Sequence, residues 1–210
     1  MGLISWLQKK IFPKKMKNYL FEQGAYHESG HIIMAYLSGF RSDEVTLILT
    51  DPGSGFTKFD YGDARITLLI AAMQNFDDHP NIYNNLDSNL KNGSAQVALK
   101  ISGILMGGPV SEALYKSGVE FRGSLPIEMA GPDLVHVQSI DLCLSQNIPN
   151  HNPNYINESL QDIVRLFKQK ESWSAIQHLS NAILNSTDKK LNRQQIEQSL
   201  TESGYFEFIK

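Results

Sequence analysis

The stretch His27-Glu28-Ser29-Gly30-His31 lies within an apolar segment, residues 20–37, and matches the zinc-binding pattern His-Glu-x-x-His. On a helix, positions i and i+4 share one face about one turn apart, so both imidazoles can bind a single ion. The glutamate between them projects beside the metal, where it can take a proton from zinc-bound water and pass it to a leaving amine. The stretch therefore predicts a helix with two metal ligands, His27 and His31, and a general base, Glu28.

Apolar residues flank the motif at helical spacing. Tyr26, Ile33 and Leu37 recur on one face, and Ser38-Gly39 is typical of a helix C-terminus. One face can then be buried while the two histidines point elsewhere. The competing interpretation is two solvated histidines on an ordinary helix; the central position of the motif in the helix favours the metal site.

A third protein ligand is required, because a catalytic zinc site usually has three of them and a water. No further histidine follows within about a dozen residues, so the metzincin pattern fails and the ligand must come from a distant segment. Three candidates remain: Glu112, Asp133 and His136. Spacing alone does not choose among them.

The segment 25–31 resembles the Ala-Tyr-His-Glu-[Ala/Ser]-Gly-His signature of the peptidase domain of FtsH-type ATP-dependent zinc metalloproteases. Later segments resemble further motifs of this family in the same order along the chain. They are a strand pair at 45–49 and 55–57, a Gly-Gly-containing helix at 101–114, the segment Gly131-Pro132-Asp133-Leu134, and a closing helix pair at 173–184 and 191–196. The resemblance covers roughly residues 20–200.

This resemblance implies a Zn²⁺ cofactor held by His27, His31 and Asp133. Glu112 matches an acidic helix position, for which we expect a structural role. His136 has no counterpart in the family motif, and we expect it to be exposed rather than to contact a ligand. Pro109 and Ala113 depart from the family, which has an arginine and a second acidic residue there.

The patterning predicts an α+β fold that is predominantly α-helical with a small β-hairpin. Helices are predicted at 18–38, 63–76, 94–117, 132–147, 154–168, 171–186 and 192–200, and strands at 44–50 and 55–60. Residues 77–93 are polar and predict a mobile loop or an insertion. Residues 205–209 alternate as a strand does, or form a docked tail.

The second predicted strand carries Gly55, Phe56 and Thr57 and has two interpretations. As an exposed edge, it would bind substrate by adding an extended peptide through backbone hydrogen bonds, which requires little sequence specificity. As an ordinary hairpin, it would only support the helix that carries the metal motif. Both interpretations remain open from the sequence.

Composition agrees with one soluble domain over residues 18–210, since 41% of the 210 residues are hydrophobic. The single cysteine excludes an intramolecular disulfide, and no secretory signal or 18-residue apolar run occurs, so we expect a cytoplasmic protein. Residues 1–17 carry +5 and the remainder −8. This basic amphipathic tail either lies peripherally on an anionic membrane or is solvated or packed on the core.

From these observations we expect a zinc metallo-endopeptidase that cleaves unfolded or flexible protein segments. The sequence has no Gly-x-x-x-x-Gly-Lys-[Ser/Thr] loop, so we expect substrates that are already flexible or that a separate ATPase or adaptor delivers. No basic patch with interleaved aromatics follows the tail, which argues against a nucleic-acid partner. The alternative is a peptidase-like binding or assembly module that retains the zinc site and holds partner proteins, and a purely structural zinc site is a third hypothesis.

Overall fold

The structure, a computed structural model, describes residues 14–127, 129 and 131–210, with only the backbone of residues 14 and 15. Helices dominate this part of the chain, and three strands form a small antiparallel sheet, which confirms the α+β class. The elements are α1 (Lys14–Leu37), β1 (Arg41–Leu47), β2 (Gly55–Asp60), α2 (Ala64–Gln74), α3 (Pro80–Asn84), α4 (Ser88–Lys91), α5 (Ser94–Ser117), α6 (Gly131–Asn147), α7 (Tyr155–Phe167), α8 (Lys170–Asn185), β3 (Lys190–Asn192), α9 (Arg193–Glu202) and α10 (Tyr205–Phe208).

Helix α1 lies at the centre of the fold and packs against both α5 and α8. Its contact with α5 depends on two glycines that face each other. A Cβ atom on Gly30 would lie 2.6 Å from the Cβ of Ser111, and one on Gly107 would lie 2.6 Å from the carbonyl oxygen of Gly30. Because such distances are too short for carbon contacts, only glycine permits this approach of the two backbones. The approach places α5 directly against the helix that carries the histidine motif.

The sheet has the strand order β2-β1-β3, so β2 is an edge strand of it. Strands β1 and β2 are antiparallel, with Arg41 opposite Asp60 and Leu47 opposite Gly55. The prediction of 44–50 for the first strand is wrong by three residues at each end, because the strand already begins at Arg41 and the chain turns from Ile48 on: the Asp51 amide donates to the carbonyl of Ile48 at 3.1 Å. The third strand, β3, was not predicted.

The C-terminal helices are tied to the sheet by a side-chain cluster. Arg193, the first residue of α9, pairs with Asp43 of β1 and, at 2.6 Å, with Asp60 of β2. A capping box formed by Asn192 and Gln195 begins the same helix. Buried side chains from Phe21 in α1 to Tyr205 in α10 form a hydrophobic cluster on which these elements pack.

The seven predicted helices are all present, with ends within four residues of the prediction. The mobile loop predicted at 77–93 is wrong, since this segment forms α3 and α4. It is anchored by the buried Tyr83, whose hydroxyl donates to Ser94 at 2.8 Å. The strand alternative for 205–209 is also wrong: Tyr205 begins α10, is buried, and donates to the carbonyl of Ile33 at 3.2 Å. This segment is docked, as the other interpretation holds.

The tail predicted at residues 1–17 falls mostly outside the described residues, which begin at residue 14; residues 14–17 are the first turn of α1. Among the described helices, α5 alone is long and apolar enough to cross a membrane, and 72% of its most apolar window is buried inside the protein. That burial is typical of the core helix of a globular fold. Cys143 is buried in the core of the protein.

Candidate metal centre

Three potential ligand atoms converge where α1 meets the beginning of α6. The Nε2 atoms of His27 and His31 are 3.0 Å apart. Asp133 Oδ2 lies 3.1 Å from the first and 3.5 Å from the second. A tetrahedral zinc ion with bonds of 2.0–2.2 Å keeps its ligand atoms about 3.3 Å apart. The group therefore fits a metal ion of this size without rearrangement.

The other nitrogen of each imidazole is occupied, which orients the rings. His31 Nδ1 donates to the carbonyl oxygen of Ile104 at 2.7 Å, and His27 Nδ1 lies 3.1 Å from Glu112 Oε2. With both Nδ1 atoms as donors, both Nε2 atoms present lone pairs toward each other and toward the carboxylate of Asp133. Electron pairs at such distances repel unless a cation lies between them, so the arrangement calls for a shared proton or a metal ion.

The electrostatics of the centre favour positive charge. Burial lowers the pKa of His27, but its hydrogen bonds to Asp133 and Glu112 outweigh burial and raise the pKa to about 10. Burial raises the pKa of Asp133, but hydrogen bonds from His27 and His31 outweigh it and hold the pKa below its ordinary value. Both shifts have one cause, the short contacts between imidazoles and carboxylates. A divalent cation bound between the Nε2 atoms would likewise satisfy the carboxylate of Asp133.

The beginning of α6 delivers Asp133 to the histidines. Gly131, the first residue of this helix, has φ +62°, a left-handed conformation that favours glycine. Pro132 follows in the first turn, where a missing amide hydrogen costs nothing because that amide has no partner within the helix. Asp133 lies in this first turn. The helix N-terminus thus faces α1 and carries the third ligand atom.

A glycine in α5 leaves the space that the two imidazoles occupy. A Cβ atom on Gly108 would lie 2.6 Å from His31 Cε1 and 2.7 Å from His27 Nε2. Any larger residue would displace one of the rings or the helix. The requirement for glycine here is therefore a property of the metal centre rather than of the backbone conformation.

Glu28 lies in the same cleft as the three ligand atoms. Its side chain is only 4% exposed. Thr57 of β2 donates its hydroxyl to Glu28 Oε2 at 2.7 Å, and a Cβ atom on Gly55 would lie 2.8 Å from Glu28 Oε1. Strand β2 thus passes directly over the glutamate. The cleft has a volume of about 680 Å³ and is open to solvent between β2, α5 and the beginning of α6.

Of the three candidates for a third ligand, Asp133 is the one that the fold brings to both histidines. Glu112 contacts Nδ1 of His27, the ring nitrogen that points away from Asp133, and pairs with Lys116 at 2.6 Å. Its contact is therefore with a candidate ligand, His27, and it orients that ring. His136 was expected to be exposed but is half-buried in the wall of the cleft. It does not belong to the group of convergent atoms.

The residues predicted to bind substrate divide into two sets. Phe56 is 49% exposed at the mouth of the cleft, whereas Gly55 and Thr57 face Glu28. Sequence reasoning missed Gly108 and the carbonyl of Ile104. The Gly107-Gly108 pair was the available signal for the first; a backbone carbonyl carries no sequence signal at all.

No family model matches this chain, and no match was found among curated proteins.

Proposed function

We propose that this chain is a zinc metallo-endopeptidase with an FtsH-like peptidase fold that cleaves unfolded or flexible protein segments. One observation carries the proposal. Two imidazole nitrogens and a carboxylate oxygen converge within 3.5 Å, and a buried glutamate lines the same open cleft. The order of the motifs along the chain, beginning with residues 25–31, supports the relationship to FtsH-type peptidases.

The donor set favours zinc over other biological metals. Two imidazoles and one carboxylate suit Zn²⁺, whereas Mg²⁺ and Ca²⁺ prefer oxygen ligands, and three protein ligands are the usual number at a catalytic zinc. When bound, zinc would polarise the scissile carbonyl and lower the pKa of water toward about 7.

The accessibility of the centre supports a catalytic role over a structural one. Structural zinc sites are closed by four protein ligands. Among the described residues the convergent group has three members. The side chains of His27 and Asp133 are 23% and 19% exposed, so the centre opens into the cleft and leaves room for water and substrate.

Glu28 is the general base of the proposed reaction. Its carboxylate can take a proton from a water molecule in the cleft and return it to the leaving amine of the cleaved peptide bond. Because α1 places it next to His27, it lines the cleft without being a member of the convergent group.

Strand β2 supports the proposed substrate class. It is an edge strand of the sheet, borders the cleft, and presents Phe56 at the cleft mouth. A peptide that pairs with such an edge must be extended over several residues. Folded segments do not meet that condition, so the expected substrates are unfolded or flexible.

The test compares the zinc-loaded wild type with Glu28→Gln, using a reduced and carboxymethylated protein as a permanently unfolded substrate. Glutamine keeps the shape of the side chain and an oxygen for Thr57 but cannot accept the proton. We expect unchanged zinc content by metal analysis and a loss of cleavage of at least about a hundredfold. Glu44→Gln is the matched control, because Glu44 lies on β1 and pairs with Lys190 away from the cleft; it should cleave like the wild type.

Retained cleavage by Glu28→Gln would reject the proposed mechanism. A different outcome would support the binding-module alternative: zinc-loaded wild type that binds the unfolded protein without cleaving it, with binding unchanged in Glu28→Gln.

A further inference from the structure

The side chain of Thr57 points to the inner side of β2, toward Glu28. Along this strand the half-buried Gly55 and Thr57 alternate with the exposed Phe56 and Lys58. The Thr57 hydroxyl donates to Glu28 Oε2 at 2.7 Å across a sequence separation of 29 residues. Thr57 therefore contacts the proposed base from the inner face of the strand.

We propose that Thr57 is a positioning residue for Glu28, and that its hydroxyl holds the carboxylate in the orientation from which proton transfer occurs. This inference rests on the proposed peptidase function and adds a role that β2 plays apart from substrate binding. The strand that receives the extended peptide on its edge would then also determine where the base lies.

The need for such a residue follows from the length of the glutamate side chain. Helix α1 determines only where the Cα of Glu28 lies, and three side-chain torsions remain free between Cα and the carboxylate. At 4% exposure, little water is present to hydrogen-bond Oε2 in place of a protein donor. Among the residues that the structure describes, the Thr57 hydroxyl is the donor to this oxygen.

The position of that hydroxyl is itself well determined. Thr57 is β-branched, so its first side-chain torsion is restricted. It lies opposite Val45, a fully buried residue of the central strand β1, so the register of the sheet sets its place. Gly55 completes the arrangement, because a Cβ atom there would lie 2.8 Å from Glu28 Oε1 and push the carboxylate away.

The first test measures kcat and KM separately for Thr57→Val, which keeps the shape of threonine and removes the donor, and for Thr57→Ser, which keeps the donor. We expect Thr57→Val to lower kcat about tenfold or more with KM and zinc affinity unchanged, because a misplaced base slows proton transfer without weakening substrate binding. Thr57→Ser should restore most of the rate. Thr46→Val on the neighbouring strand controls for the loss of a threonine hydroxyl from the sheet.

The second test needs no turnover. A peptide phosphonate, whose tetrahedral phosphorus resembles the transition state of peptide hydrolysis, is titrated into four zinc-loaded proteins by calorimetry: wild type, Thr57→Val, Glu28→Ala and the double variant. We expect Thr57→Val to weaken binding about tenfold in the wild-type background. In the Glu28→Ala background it should have no further effect, because its influence passes through the glutamate.

Each contrary outcome identifies a different error. Equal weakening in both backgrounds would show that Thr57 contacts the ligand directly, and a raised KM or a loss of zinc in Thr57→Val would assign it to substrate or metal binding. Wild-type kcat in Thr57→Val would reject the inference alone. If the wild type with zinc neither cleaves nor binds the phosphonate, the proposed function fails, and this inference with it.

Discussion

Two histidine–aspartate clusters in this protein look alike locally and differ in what they can bind. One is the group of His27, His31 and Asp133. The other pairs His151 Nε2 with Asp141 Oδ1 at 2.6 Å, at the junction of α6 and the segment before α7. Each lines a cleft of comparable volume, about 680 Å³ and 630 Å³. A short contact between an imidazole and a carboxylate is therefore common to both.

The two clusters differ in how many potential ligand atoms converge on one point. At the first cluster two imidazoles and a carboxylate point at one spot, and partners on the far side of each ring hold the Nε2 atoms in place. At the second, a single imidazole faces a single carboxylate, and no third His, Cys, Asp or Glu ligand joins them among the described residues. The second cluster bridges α6 to the segment that follows it. Oriented, convergent donors distinguish a metal centre from an ordinary ion pair.

The largest expected effect comes from removing a ligand. His31→Ala should lower zinc affinity by at least about a hundredfold, more than is typical for loss of a partner outside the ligand set. Stoichiometry by metal analysis after gel filtration measures it, with circular dichroism to verify folding. His151→Ala is the matched histidine control and should bind one zinc per chain. Equal zinc content in the two variants would show that the first cluster is no more important for zinc binding than the second.

Filling the space beside the imidazoles should be nearly as damaging. Gly108→Ala places a Cβ 2.6 Å from His31 Cε1, so the imidazole rings must move away from the positions in which their Nε2 atoms converge. We expect zinc binding to weaken at least about tenfold and the free energy of unfolding to fall by about 1–3 kcal/mol, the usual cost of overpacking. Gly93→Ala is the control, because its Cβ would meet nothing closer than 3.7 Å. Normal zinc affinity in Gly108→Ala would contradict the observed packing.

Loss of a supporting partner should have a smaller effect. Glu112→Gln removes the charge that faces His27 Nδ1 while it keeps the shape of the side chain. Zinc affinity should fall only about tenfold, the lower end of the range for partners of metal-binding histidines, because the glutamine oxygen still accepts from Nδ1. Competition with a chelator measures the dissociation constant, and Glu120→Gln, at an exposed position beyond the end of α5, provides the control. An unchanged constant would show that the orientation of His27 comes from packing alone.

The smallest effect is expected at the second cluster. His151→Gln should leave zinc affinity unchanged and lower the free energy of unfolding by about 1 kcal/mol, the usual contribution of one hydrogen bond. In a protein of this size that corresponds to a fall in Tm of about 2–4 °C. Thermal unfolding of the zinc-free protein measures it. A loss of zinc from this variant would mean that His151 also binds metal.

The helices were predictable from sequence because apolar residues at helical spacing and helix-end residues such as Ser38-Gly39 are local signals. The prediction failed where local signals misled. Residues 77–93 are polar and rich in asparagine, yet they form two short helices, because Tyr83 is buried and Leu86 and Leu90 pack against the core. Strand β3 is three residues long and exists because it pairs with β1, a partner about 145 residues away.

Within the site, the sequence by itself determined His27, Glu28 and His31, because their geometry follows from the rise and turn of one helix. It left Glu112, Asp133 and His136 as equal candidates on spacing, and the order of family-like motifs alone favoured Asp133. Only the tertiary structure decided among them. The choice depends on where α5 and α6 lie against α1. Close packing at Gly30 and Gly107 places α5 against α1, and α6 packs on α5, and neither follows from spacing along the chain.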